Sequence, residues 1–92
     1  MNVYNIPVVD KDKIIFKKVQ DGILIVSLVN EPAAILLEDE YSYVWSLIDG
    51  IKNIERISQE LSKKYKHNNI SDIFKILSKL QNNNLILFSG VK

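Results

Sequence analysis

Short apolar runs open the chain and give way near residue 38 to a longer repeat. Before that point, "IIFKKV" (14–19) and "GILIVSLV" (22–29) are β-branched stretches separated by Gln20, Asp21 and Gly22. A glycine beside an aspartate supplies the positive φ that a tight hairpin turn requires, so the two runs are expected to pair as a hairpin. The second is almost wholly apolar, as a central strand would be. Pro32 has no N–H to give to a ladder, so "NEP" ends that run and "AAILLE" (33–38) starts a third. The pattern predicts a three-stranded meander whose third strand lies at an edge.

Beyond Asp39 the spacing becomes helical. Tyr41, Val44, Trp45 and Ile48 share one face of a first predicted helix, and Gly50 ends it by taking the left-handed conformation at low cost. Asn53 is placed to cap a second helix, with Ile54, Ile57, Leu61 and Tyr65 along its stripe. A third, near Ser71 to Asn83, carries Ile70, Ile73, Phe74, Leu77 and Leu80, and "LILF" follows it. Asn84 stands where a helix-ending glycine is usual, and asparagine is the next best residue there. The expected fold is α+β, an N-terminal three-stranded antiparallel sheet followed by three helices, winged helix-turn-helix-like in arrangement. Residues 1–12 remain an arm that could be disordered, cover a sheet edge or exchange between copies.

Ninety-two residues make one domain, and a fold this small hides only about 60% of its unfolded surface. With 47% hydrophobic and 25% charged residues, the composition is globular, too apolar for disorder. The net charge of +1 conceals an asymmetry: residues 1–50 carry four Lys against eight acids, residues 51–92 eight Lys and Arg against three. Solvated helix faces and complementarity between the halves account for that pattern, and an acidic partner for the C-terminal half is the other reading. The absence of cysteine removes disulfides, thiol nucleophiles and Cys-based metal sites. His67 is the single histidine, in a predicted loop, with no second ligand type beside it. The acids Glu38, Asp39 and Glu40 fit a helix start, where they complement the macrodipole. Gly22, Gly50 and Gly90 are too dispersed for a phosphate loop. The expectation is a non-enzyme without cofactor or metal, and, with no signal-like or spanning segment, a cytoplasmic location.

The stretch "IDGIKNIERISQEL" (48–61) has the form that opens many DNA-reading helix-turn-helix units. A reading helix offers Arg, Lys, Asn or Gln in its first turns, together with several phosphate contacts. "SDIFKILSKLQNN" offers Ser71 and Asp72 first, with Lys75 and Lys79 as its only cations. Nucleic acid is therefore disfavoured. A winged-helix transcriptional regulator stays as the alternative, and a small scaffold or dimerisation domain as a third reading.

The order of parts over residues 22–86 resembles the PqqD-like family, the leader-peptide-binding modules also called RiPP recognition elements. The resemblance lies in "DGILIVSLV", in "LLEDEYSYVWSLIDG" where the family has a Leu-Asn-x-Thr-Ala-like start to a helix ending in Asp-Gly, in "NIERISQEL", and in "ILSKLQNNNLI" where the family commonly has Leu-x-x-Leu-x-x-x-Gly-Leu-Ile. Glu38 stands in place of the common Asn, Glu40 and Tyr41 in the Thr-Ala region, and Asn84 in place of the glycine. The resemblance implies a module that binds the leader of a ribosomally synthesised, post-translationally modified precursor peptide. The leader joins the sheet as a strand on the third strand, against the third helix. Its second partner would be a pathway enzyme such as a radical-SAM maturase or a leader protease, with no membrane role and with a homo-oligomer left open.

The residues supply matching physics. Ala33, Ala34, Ile35, Leu36 and Leu37 form a run without charge or proline, the devices that guard an edge strand. Such an edge either captures a peptide or is covered by a loop or the arm. On a helical wheel Ile76 widens the stripe of the third helix, so Ile76 and Leu80 are candidates to line a groove, with Asp72, Lys79 and Asn83 as its polar rim. Packing of Ile76 on a neighbouring helix is the equal alternative.

Overall fold

A computed structural model of the protein describes residues 2–28, 34–66 and 69–89. Among these described residues five strands and three helices follow in the order β1 (Ile6–Val9), β2 (Ile14–Val19), β3 (Gly22–Ser27), β4 (Ala34–Leu37), α1 (Asp39–Leu47), α2 (Ile54–Lys64), α3 (Ile70–Asn82) and β5 (Ile86–Ser89). The fold is α+β, with small antiparallel sheets and three helices.

The β-branched runs pair as an antiparallel hairpin, from Ile14 opposite Ser27 to Val19 opposite Gly22. Its turn is not made as the sequence suggests. Gln20, Asp21 and Gly22 all keep negative φ, and Gly50 is the only described glycine with a positive one, 78°. Gly22 answers a different need. A Cβ there would run into the carbonyl oxygen of Leu37, so the missing side chain lets β4 close onto β3. These two strands pair antiparallel from Ile23 opposite Leu37 to Val26 opposite Ala34, giving the order β2-β3-β4.

Residues 6–9 form β1, which pairs with β5 in a separate two-stranded sheet, Ile6 opposite Ser89 and Val9 opposite Ile86. The arm also closes the start of α2. The N–H groups of Ile54 and Glu55 donate to the carbonyls of Asn5 and Val3, both at 3.0 Å, and Asn53 accepts from Arg56 N–H. Three of the orphan donors at that helix end are thereby satisfied. In the preceding turn Asp49 accepts from Lys52 Nζ at 2.8 Å and from the backbone N–H groups of Ile51 and Lys52. The Lys52 ammonium, followed by those amides, holds its carboxyl well below the usual carboxylate range.

The helix stripes meet the inward side of the three-stranded sheet. Ile14, Ile25 and Leu37 pack with Val44 and Trp45, with Ile54, Ile57 and Leu61, and with Ile73, Ile76, Leu77 and Leu80. Phe16 meets Trp45 edge to face at 5.4 Å. Among the described residues no polar or charged side chain is buried. None of the described helices is long and apolar enough to cross a membrane.

Candidate functional site

β4 leads directly into α1, and the joint is tight. Glu38 is extended, Asp39 takes φ 51°, and Ser42 Oγ donates to the Asp39 carbonyl at 2.8 Å. Aspartate tolerates this left-handed conformation better than most residues. The sharp reversal turns residues 38–41 back across the end of β4.

Helix α3 approaches the same place with its last turn. Asn84, φ 61°, ends it in the left-handed conformation, and Leu85 N–H returns to the Leu80 carbonyl at 3.0 Å, a glycine-type stop built on asparagine. At the other end Asn69 accepts from the amides of Ser71 and Asp72 while Asp72 accepts from Asn69 N–H, a reciprocal cap that fixes where the helix begins.

Between the two lies an open groove of about 320 Å³, bounded by Ile35, Leu36 and Leu37 of β4, by the turn from Glu38 to Tyr41, and by Lys79, Leu80, Asn83 and Leu85. Lys79 Nζ sits 5.2 Å over the Tyr41 ring, a cation–π contact that holds the ammonium at the rim. Asn83 donates its side-chain N–H to the Lys79 carbonyl at 2.8 Å, leaving its side-chain oxygen as an acceptor. Three acids and one lysine border the groove, so its mouth is net negative although the chain as a whole is not. Among the described residues no strand occupies the outer edge of β4.

Six of the ten residues expected from the sequence therefore meet in one groove: Ile35, Leu36, Leu37, Lys79, Leu80 and Asn83. Ala34 lies on the same strand and is exposed. Ala33 falls outside the described residues. The other two, Asp72 and Ile76, border a smaller adjoining hollow of about 180 Å³ with Glu40, Tyr41 and Lys75. Ile76 is 5% exposed and belongs to the core, and Leu80 at 1% shows the groove almost nothing. A helical wheel gives the angle of a side chain but not which neighbour covers it, so a stripe widened by Ile76 reads equally as groove or core. The carboxylate of Asp72 is engaged in the cap rather than placed at the rim of the β4 groove.

What the sequence reading missed is the wall made by Glu38, Asp39, Glu40 and Tyr41, and the floor at Leu85. A signal was present. Residues that follow an edge strand without a linker must line that strand's end, whatever else they do at a helix start.

Among the described residues there is no group of three or more His, Asp or Glu able to hold a metal ion. No family model, no curated protein and no solved structure matches the chain.

Proposed function

We propose that the protein is a peptide-binding module of the PqqD-like kind, without catalysis or cofactor. In this reading it takes the leader segment of a ribosomally made precursor as an added strand on β4, inside a winged helix-turn-helix-like frame. It then presents that precursor to a modifying enzyme, such as a radical-SAM maturase, or to a leader protease. The observation that carries the reading is the conjunction of an uncharged edge over Ala34–Leu37, unpaired among the described residues, with a groove at its flank. Strand addition draws affinity from the backbone ladder and specificity from pockets for alternate side chains.

The magnitudes set the expected strength. A four-residue edge offers some four ladder bonds at ~0.5 to 1.5 kcal/mol each, roughly 2 to 6 kcal/mol in sum. Micromolar affinity needs about 8 kcal/mol after the cost of ordering the peptide. Leu37 and Leu80 are buried, so the apolar surface within reach is that of Leu36 and parts of Ile35 and Tyr41. One or two side-chain anchors at ~1.5 to 3 kcal/mol each bring the total to a dissociation constant on the order of tens of micromolar. The acids at the mouth favour a segment with a Lys or Arg at that end.

The test is an amide NMR titration of the full chain with synthetic N-terminal segments of short peptides encoded beside its gene. The reading expects shifts at Ala34–Leu37, Lys79 and Asn83, with Ile14–Val19 unmoved. Absence of any shift at β4 for every segment, or binding to duplex DNA that collapses between 50 and 200 mM salt, overturns it.

A further inference from the structure

The three-stranded sheet has a second face, turned away from the helices. Alternate residues of a strand point to opposite sides. With Ile14, Ile25 and Leu37 in the core, the pairing registers put Ile15, Leu24, Val26 and Leu36 on the outer side, together with Lys17 on β2. Leu28 extends that face, its N–H donating to the Lys13 carbonyl at 2.7 Å. Ile15 is 58% exposed, Leu28 53% and Leu36 48%. Side by side on one sheet face, these side chains form an apolar surface that a second apolar face can cover and remove from water.

We propose that this face is the contact between two copies of the chain, packed sheet against sheet about a two-fold axis that runs along the strands. Charge decides between the possible arrangements. Rows across the sheet join Lys17 to Leu24 and Leu36, and the next row joins Val19 to Gly22, the residue before which β4 gives way to Glu38. A two-fold along the strands lays β2 of each copy over β4 of the other, which brings Lys17 within one row of the partner copy's Glu38. A two-fold across the strands lays β2 on β2 and sets lysines against lysines. Aligned packing within about 30° is the usual geometry of two such faces, and the first arrangement satisfies it with opposite charges at both ends of the contact.

Area sets the strength. Six-residue strands at ~3.3 Å per residue and a ~4.8 Å strand spacing give a face roughly 20 by 10 Å, well below the ~800 Å² per partner of a standard interface. An area that small belongs to weak association, so the dimer is expected only at high protein concentration. Leu36 and Glu38 border both this face and the β4 groove, whereas Ile15 and Leu28 belong to the face alone, so variants at those two positions separate self-association from peptide binding.

Sedimentation velocity of the full chain from about 10 to about 500 µM tests it. The expected result is a mass rising from 10.6 kDa toward twice that value. Ile15→Glu, far from the groove, is expected to weaken association at least tenfold while leaving peptide-induced shifts at β4 unchanged. Leu28→Glu provides the same test should Ile15→Glu lose its circular dichroism spectrum. Lys17→Glu and Glu38→Lys singly weaken the dimer, and the double exchange restores it. A wild-type chain monomeric at 500 µM overturns the proposal. So does a dimer that ignores both outer-face variants and dissociates when peptide fills β4, since that is edge pairing of β4 with β4. Failure of the double exchange overturns the two-fold along the strands.

Discussion

β2 and β4 are the two edges of one sheet, made by the same chain under the same conditions, yet they differ in almost every respect that decides whether an edge accepts another strand. β2 is six residues long and carries Lys17 and Lys18; β4 is four residues long and carries no charge. Lysine on an edge is a common guard against pairing with foreign chains, and shortness is another. β2 uses the first device. β4 uses only the second, and its flank opens on the groove it shares with α3; β2 has its Phe16 ring against Trp45, and its last residues, Lys18 and Val19, border a wider hollow of about 620 Å³ that carries the Lys18 charge. The difference teaches that an exposed edge is informative when it lacks the guard its neighbour has. A sheet whose two edges were both bare would suggest a dimer or an aggregate; one guarded edge beside one open edge suggests a place reserved for a ligand.

The largest effect is expected where β4 is removed outright. Gly22→Val puts a side chain against the Leu37 carbonyl, and overpacking of that kind costs about 1 to 3 kcal/mol. For a domain of this size each kcal/mol lowers the melting temperature by roughly 4 to 8 °C. Hydrogen exchange distinguishes a local from a general loss: the amides of Ala34–Leu37 should exchange freely while those of Ile14–Val19 stay protected within the hairpin. Protection lost equally on both strands would mean that β4 is not the separable edge described here.

Next in size is the conversion of the open edge into a guarded one. Leu36→Lys places on β4 the residue that β2 already has, at a position 48% exposed, so stability should change by no more than about 0.5 kcal/mol. Peptide affinity should fall about tenfold or more, because one anchor at ~1.5 kcal/mol or above is lost. Calorimetry with the same segment on wild type and variant measures it. An undiminished affinity would transfer the site away from β4. Within the groove itself, Lys79→Ala should produce a smaller loss, about threefold, since an exposed cation contributes a fraction of a kcal/mol.

How far this comparison could be read from the sequence depends on the range of the signal. The hairpin, the α2 stripe of Ile54, Ile57 and Leu61, the Asn53 cap and the Asn84 stop are local, written within one or two turns of chain, and each is legible there. The pairing of Ile6–Val9 with Ile86–Ser89 joins opposite ends of the chain, and no local pattern announces a partner so far away. Gly22 is legible as a residue that must be glycine, but the reason lies across the sheet at Leu37, not in its own turn. The open edge could be seen as a run without charge over 34–37, and Lys79 and Asn83 as polar positions at one end of a stripe. The wall from Glu38 to Tyr41 could not be assigned to the groove until the reversal at Asp39 was known. Acids at a helix start have an adequate local explanation, and that explanation concealed the second one.

The smallest expected effect sharpens the comparison most. Binding at β4 rests mainly on a backbone ladder and apolar anchors, and the three acids and Lys79 that border the open groove add solvent-screened contacts of a fraction of a kcal/mol each, so raising salt from 50 to 200 mM should alter affinity by less than about threefold. The β2 edge, with Lys17 on one face of the sheet and Lys18 on the other, would attract an acidic segment through charges that salt screens across about 10 Å. Peptides of equal length and opposite net charge therefore separate the two edges in one experiment. A cationic segment should bind with little salt dependence and shift the amides of Ala34–Leu37. An anionic segment should bind weakly, at low salt only, with shifts on Ile14–Val19. If the cationic segment loses its affinity as steeply as the anionic one, charge rather than the open ladder is what holds it, and the distinction between the two edges fails.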